Sequence, residues 1–304
     1  MRKVRSGSII ETDDGSFWYS CGSWTINNMH NAIPCILAYI LKGEFVVTHE
    51  KMKILECNGK VYLKTFGLPI EIYRLMLESR DESLFYPLTL GKVVFLKCSR
   101  IIVIKDPVEF RSLFVQQLKN EGRILNSLCD VLQLDANDVG ISGSSLMFTT
   151  PEIRHEIDFV IFGREKSRRA LSVIHKNRNN KIFSDFSLPH LHLPFQFMKI
   201  WFDPQFSESD RIRHHLDKSS IHKIGQRMDI ELRILDDKNG IFFPAIYKTS
   251  EGYGLLSFRA GQRGLFCKGQ TIRFDSLPLY SVTFANGKTE IFYAILNDEW
   301  GTII

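Results

Sequence analysis

Two acidic residues flank one apolar residue inside the apolar run "EIDFVIFG", which ends at Gly163. In a β-strand, residues two apart project to the same side, so Glu156 and Asp158 would face one way and Ile157 the other. Two carboxylates held side by side repel each other unless a cation lies between them. Hard oxygen ligands of this kind suit Mg²⁺, or Mn²⁺ in its place. The pattern therefore predicts a divalent metal site formed by Glu156 and Asp158.

A run of small residues, "GISGSS", precedes the two acids by about a dozen positions. Gly143, Ser144 and Ser145 would form a tight turn whose backbone N–H groups and hydroxyls can hold phosphate oxygens. A metal site beside a phosphate-binding turn is the minimum apparatus for phosphoryl or nucleotidyl transfer. We therefore expect these three residues to bind the phosphates of a nucleotide.

The basic stretch "REKSRRALSVIHKNRNNK" follows the acidic strand directly and has the pattern of an amphipathic helix. Its position makes Arg164, Lys166, Arg168 and Arg169 candidates for contact with phosphate, and we assign Arg168 and Arg169 to nucleotide binding. The alternative is a solvated helix face, which is the commoner role of such a run.

The spacing of Gly143-Ser144 and the acid-apolar-acid triplet resembles that of the DNA polymerase β-like nucleotidyltransferases. More narrowly, the chain resembles a group of predicted nucleotidyltransferases found mainly in archaea. In that group a β-rich N-terminal part precedes the motif and a β-rich C-terminal domain follows it, and "GIFFPAIYK" looks like one of its strands. The resemblance extends weakly over most of the chain. Only Gly143, Ser144, Glu156 and Asp158 match the motif of the family residue by residue.

The chain departs from the family pattern in its acids. The family usually begins the triplet with Asp, whereas this chain has Glu. The family also adds a third carboxylate from a later strand, which here would be "PFQFMKIWFDP". Gln196 or Met198 stands where that acid is expected, and Asp203 lies at the strand's end, later than expected. Asp229 and Glu231 alternate suitably but belong to the next domain. A missing third acid would weaken the metal site or abolish catalysis.

The resemblance implies metal-dependent transfer of a nucleotidyl group from a nucleoside triphosphate to an acceptor, either a nucleic acid, with RNA foremost, or a protein. The alternative is a catalytically silent protein that binds RNA or acts as an assembly factor. A protein partner or an oligomer remains open in both cases.

Composition limits the other classes of function. The net charge of +5 over 304 residues permits contact with phosphates without requiring it. Six isolated cysteines have neither the spacing of a zinc knuckle nor that of a redox motif, which favours a reduced, cytoplasmic protein. The most apolar segment, "AIPCILAYIL", has about half the length needed to span a bilayer, so we expect no membrane segment.

The distribution of strand and helix signals predicts three parts. Residues 1–105 form a β-rich N-terminal domain that includes an Asn58-Gly59 hairpin and a helix in "LPIEIYRLMLESR". Residues 106–223 form a nucleotidyltransferase-like α/β core, with one long helix followed by a β-turn-β-α unit from Val139. Residues 224–304 form short strands of a small β-barrel or sandwich. The expected fold class is α+β, with the core between the two β domains.

Overall fold

The structure is a computed structural model that describes residues 4–43, 53–147, 156–177, 183, 194–208, 214–259, 264–296 and 301–304. These residues are 46% strand and 24% helix, arranged in three sheets with four helices. The predicted fold class, an α/β nucleotidyltransferase-like core between a β-rich domain and a small barrel or sandwich, is therefore wrong. Among the described residues, no helix has both the length and the apolar character needed to cross a membrane.

An eight-stranded antiparallel sheet occupies the N-terminal third, with the order β4-β5-β3-β2-β1-β8; β7 also pairs with β3, and β6 pairs with β7. Its strands are β1 (Ile9–Thr12), β2 (Phe17–Ser20), β3 (Ala32–Leu41), β4 (Lys53–Cys57), β5 (Lys60–Lys64), β6 (Phe85–Leu90), β7 (Val93–Lys97) and β8 (Ile101–Lys105). The apolar segment "AIPCILAYIL" is β3, and it is buried almost throughout because the sheet is covered on both faces.

Two local predictions in this sheet are confirmed. Asn58 and Gly59 join β4 to β5 with φ of 51° and 72°, the left-handed pair of a type I′ hairpin turn. The predicted helix is α1 (Ile70–Glu78), which packs against the sheet through Tyr73. The Tyr73 hydroxyl accepts a hydrogen bond from the Leu37 N–H at 2.8 Å and donates one to the Lys92 carbonyl at 2.8 Å.

The acidic strand belongs to a four-stranded sheet with the order β11-β12-β10-β9. Only β10 and β12 run parallel. The elements of this unit are α2 (Pro107–Gln117), α3 (Lys119–Leu132), β9 (Val139–Ile141), β10 (Glu156–Phe162), α4 (Arg164–Asn177), β11 (Phe195–Phe197) and β12 (Ile200–Ser207). The predicted β-turn-β-α order from Val139 is confirmed.

The single long helix predicted before this sheet is two helices. Leu118 leaves the helical region with φ of −102° and ψ of 77°, which ends α2 and starts α3. The two helices then cross closely at Gly122, where an added Cβ would lie 2.9 Å from the Val115 Cα. The periodicity of the apolar residues continues through Leu118, so the sequence pattern did not indicate the break between α2 and α3.

The C-terminal part forms a six-stranded sheet with the order β13-β14-β15-β17-β16-β18, in which β13 also pairs with β16. Its strands are β13 (Ser220–Asn239), β14 (Ala245–Thr249), β15 (Gly254–Ser257), β16 (Thr271–Thr283), β17 (Thr289–Ile295) and β18 (Thr302–Ile303). We predicted short strands in this part of the chain, but the segments "GQTIRF" and "LYSVTFA" both lie in the single long strand β16.

The N-terminal sheet is the layer on which both other parts pack. One apolar cluster joins it to α1 and to strands of the C-terminal sheet, and a second joins it to α3, α4 and the acid-bearing sheet. On β5, the neighbours Leu63 and Tyr62 belong to the first and second clusters respectively. The acid-bearing sheet therefore shares its core with the N-terminal sheet, which is the physical reason that a self-contained α/β core did not form.

Candidate metal centre

Three carboxylates meet on one face of the paired strands β10 and β12. Asp158 lies opposite Asp203 in the parallel register, and Glu156 precedes Asp158 by two residues. Paired residues of neighbouring strands, and residues two apart on one strand, share a face of the sheet. Glu156, Asp158 and Asp203, called the carboxylate cluster below, each place an oxygen within 4.8 Å of the others.

Asp203 is the third acid that the sequence prediction did not place. The predicted strand "PFQFMKIWFDP" is a hairpin, β11 and β12, that turns at Met198 and Lys199 with φ of 48° and 68°. Two left-handed residues form a type I′ turn, which usually carries Asn or Gly. Neither occurs here, so no turn was predicted and Asp203 was assigned to the strand's end. In the structure it is an interior residue of β12.

The opposite face of the same two strands is apolar. Phe159 and Phe202 contact edge to face with ring centroids 5.8 Å apart, and Ile157 is buried beside them. Behind them lie apolar residues of α3 and α4, namely Leu125, Leu128, Leu132, Ala170 and Ile174. This packing fixes the rotation of β10 and β12, so the three acids are held to one side.

A short 3₁₀ helix, Gly143–Met147, lies against the carboxylate cluster and is called the Gly143–Met147 turn below. Gly143 has φ of +64°, and a Cβ there would lie 1.8 Å from the Asp158 Oδ2. The Ser144 N–H donates a hydrogen bond to the Asp158 side chain, and the Ser142 N–H donates to the Asp158 carbonyl at 2.9 Å. Ser145 is buried within the turn. Gly143 and Ser144 therefore adjoin the acids as predicted, whereas residues 148–155 lie outside the described residues.

The electrostatics of the cluster favour a bound cation. Burial, the neighbouring Asp203 and then Glu156 raise the pKa of Asp158 from its usual value to about 7, against smaller opposing effects of Lys64 and the Ser144 N–H. An octahedral Mg²⁺ shell places ligand oxygens about 2.9 to 4.2 Å apart. The three carboxylate oxygens lie within 4.8 Å of one another, close to that range, so three hard oxygen donors fit Mg²⁺ or Mn²⁺.

The basic residues of α4 have other contacts. Each of three pairs with a group elsewhere in the chain: Arg164 with Glu208, Lys166 with Asp138, and Arg168 with the carbonyl of Lys238. Arg169 lies on the exposed side of the helix. Helix α4 also begins after the far end of β10, about 13 Å along the strand from Asp158. Among the described residues, no contact joins Arg168 or Arg169 to the carboxylate cluster.

The first testable consequence is a pH-dependent stabilisation by divalent cations. Because the pKa of Asp158 is higher in the folded chain than in the unfolded chain, its protonation favours folding. In the metal-free protein this contribution to the unfolding free energy is full below about pH 4 and is lost as pH rises through about 7. Cations bind the ionised cluster, so Mn²⁺ or Mg²⁺ should raise the melting temperature more at pH 8 than at pH 5.5.

The measurement is a thermal melt in excess cation against EDTA at both pH values. Stabilisation of about 2.7 kcal/mol is expected at a hundredfold excess over the Kd. Asp158→Asn should lose the cation response and be at least as stable as the native chain in EDTA at pH 8. Glu71→Gln, an exposed acid on α1, should respond like the native protein. An equal cation response at the two pH values would contradict the assignment.

A second consequence concerns Gly143, where both conformation and space require glycine. Gly143→Ala places a methyl group against the Asp158 carboxylate, so we expect loss of the cation response as well as stability. Gly252→Ala is the matched control, since Gly252 has φ of +77° and nothing lies within 4 Å of the added Cβ. The control should lose only the roughly 1 kcal/mol of left-handed strain. Thermal melts with Mn²⁺ titration measure the stability and the cation response of each variant. Identical results for the two variants would contradict a steric clash between the added methyl group and Asp158.

Comparison of the chain with protein-family models, with curated proteins and with solved structures finds no match. The interpretation of this centre therefore rests on its own geometry and on the motif residues.

Proposed function

We propose that this protein is a metal-dependent nucleotidyltransferase that moves a nucleotidyl group from a nucleoside triphosphate to a hydroxyl of a nucleic acid, RNA in the first place, or of a protein. The observation that carries the proposal is the register of Asp203 with Asp158, which completes a cluster of three carboxylates beside the Gly143–Met147 turn.

The reaction assigns a role to each group. The cluster would hold Mg²⁺ or Mn²⁺, which when bound supplies positive charge to the phosphate oxygens of the transition state. The acceptor hydroxyl forms a bond to the α-phosphorus, the α–β phosphoanhydride bond breaks, and pyrophosphate leaves. A carboxylate of the cluster takes the hydroxyl proton. Glycine at position 143 lets the turn backbone lie against Asp158, and the half-buried Ser144 beside it would contact the phosphate oxygens.

Three further considerations support the proposal. The Gly143-Ser144 turn and the Glu156–Asp158 triplet resemble the motif of the polymerase β-like nucleotidyltransferases, although the overall fold lends no support. The catalytically silent alternative was favoured by a missing third acid, and Asp203 removes that reason. The mild positive charge of the chain is compatible with an RNA acceptor.

The decisive experiment follows the α-phosphate. The purified protein is incubated with each of the four triphosphates labelled at the α-phosphorus, with Mg²⁺ or Mn²⁺, and with or without short RNA. We expect label to appear on the RNA or on protein, together with release of pyrophosphate. Label released only as free monophosphate would indicate hydrolysis instead of transfer.

Variants of the acids should differ in a defined order. Asp158→Asn and Asp203→Asn should each lower transfer by roughly 10²–10³-fold, the scale for losing one preorganised electrostatic contact. Glu156→Gln should cost less, because Glu156 is exposed and water can replace its oxygen. Glu71→Gln, far from the cluster in the sequence and outside it in the structure, is the control. Full activity of Asp203→Asn would refute the three-carboxylate site.

A further inference from the structure

The acid-bearing face of β10 is turned toward the N-terminal part of the chain. Val160 follows Asp158 by two residues and so lies on the same face, and its Cγ2 would be 2.4 Å from a Cβ added at Gly7. The Ser142 hydroxyl donates a hydrogen bond to the Gly7 carbonyl at 3.0 Å. The N-terminal part therefore contributes to the surroundings of the carboxylate cluster.

The β4–β5 hairpin turns one face to the acid-bearing unit. Leu55 and Cys57 of β4 and Tyr62 of β5 belong to the apolar cluster that includes β10 and β12. Strand alternation places Lys53 on the side of Leu55, and Lys64 on the side of Tyr62. The two lysines therefore project from the hairpin face that packs against the acid-bearing unit.

One hydrogen bond holds this hairpin against the turn beside the acids. The Cys57 thiol of β4 donates to the Met147 carbonyl at 3.3 Å, and the Lys105 ammonium of β8 donates to the same carbonyl at 2.7 Å. Met147 is the last residue of the Gly143–Met147 turn. Lys64 is also close enough to lower the pKa of Asp158 through its positive charge, though this effect is smaller than those of burial and the two acids.

Lys53 and Lys64 lie directly opposite each other in the register of β4 and β5. Like charges at opposed positions destabilise a strand pair. Within the described part of the chain, no hydrogen bond or ion pair is found for either lysine, and Lys64 is half-buried. An anion between the two ammonium groups would relieve their repulsion.

We propose that Lys64, assisted by Lys53, binds the β- and γ-phosphates of the nucleoside triphosphate. The inference rests on the proposed function and deepens it by assigning part of the triphosphate site to the N-terminal sheet. A triphosphate brings several negative charges to a site that already has three carboxylates, so the metal alone does not neutralise it. Lys64 and Lys53 supply the remaining positive charge. Arg168 does not fill this role, because its guanidinium is hydrogen-bonded to the Lys238 carbonyl.

The test measures binding of ATP, tripolyphosphate and AMP by calorimetric titration in Mn²⁺. Lys64→Gln should weaken ATP and tripolyphosphate about tenfold, the scale of one charged contact, and leave AMP unchanged. It should not weaken Mn²⁺ binding measured without nucleotide, because a positive charge near the cluster is removed. Lys64→Arg should retain most ATP affinity. Lys53→Gln, at an exposed position that folding tolerates, should give a smaller loss.

Lys60→Gln is the matched control. Lys60 lies on the same strand and the same side as Lys64, about 13 Å away, and is exposed. It should bind ATP like the native protein. A loss equal to that of Lys64→Gln would indicate a diffuse field of the hairpin and would overturn the assignment.

The outcomes separate this inference from the proposed function. If Asp158→Asn keeps Mn²⁺-dependent ATP binding, the proposed function fails. If Asp158→Asn loses that binding while Lys64→Gln and Lys53→Gln bind ATP like the native protein, only the present inference fails. Weaker binding of a labelled RNA oligonucleotide to Lys64→Gln, with unchanged ATP affinity, would assign the lysines to the nucleic-acid backbone and also overturn it.

Discussion

The repulsion among three carboxylates on adjacent parallel strands is the constraint on which the rest of this site depends. Asp158 and Asp203 are opposed in register, and each would move away from the other if its strand could rotate. Rotation is prevented from behind, because Phe159 and Phe202 interlock on the other face under helices α3 and α4. The apolar packing thus stabilises an arrangement that the charges alone oppose.

The N-terminal sheet also supports the carboxylate cluster, which it would not do if it were a separate domain. Its second face completes the core beneath the acid-bearing unit, and its β4–β5 hairpin is bonded to the end of the Gly143–Met147 turn through Cys57. A change that loosens this hairpin therefore reaches Asp158 through the turn that donates to it. The position of the carboxylate cluster therefore depends on the apolar packing of the N-terminal sheet.

The parts of the site that could be predicted are those whose sequence signals lie close together along the chain. Glu156 and Asp158 share a face through strand alternation, and Gly143 precedes them by a short segment, so local rules found both. Asp203 was missed because the turn at Met198 and Lys199 lacks Asn and Gly, although two left-handed residues form it. Arg168 was chosen for its nearness along the chain, but tertiary contacts direct it to the Lys238 carbonyl.

The fold class failed for a related reason. The alternation and periodicity of the chain correctly located the β4–β5 hairpin, α1 and the β9–β10–α4 order, because these depend on neighbours in sequence. Which apolar face covers which depends on residues a hundred positions apart, and neither pattern contains that information. Lys64 shows the consequence for function, since its own strand gives no reason to connect it with Asp158. Only the shared core brings the two residues near each other. A site of this kind takes its lysines from one sheet and its carboxylates from another. The geometry of both sheets then limits which ligands the site can bind.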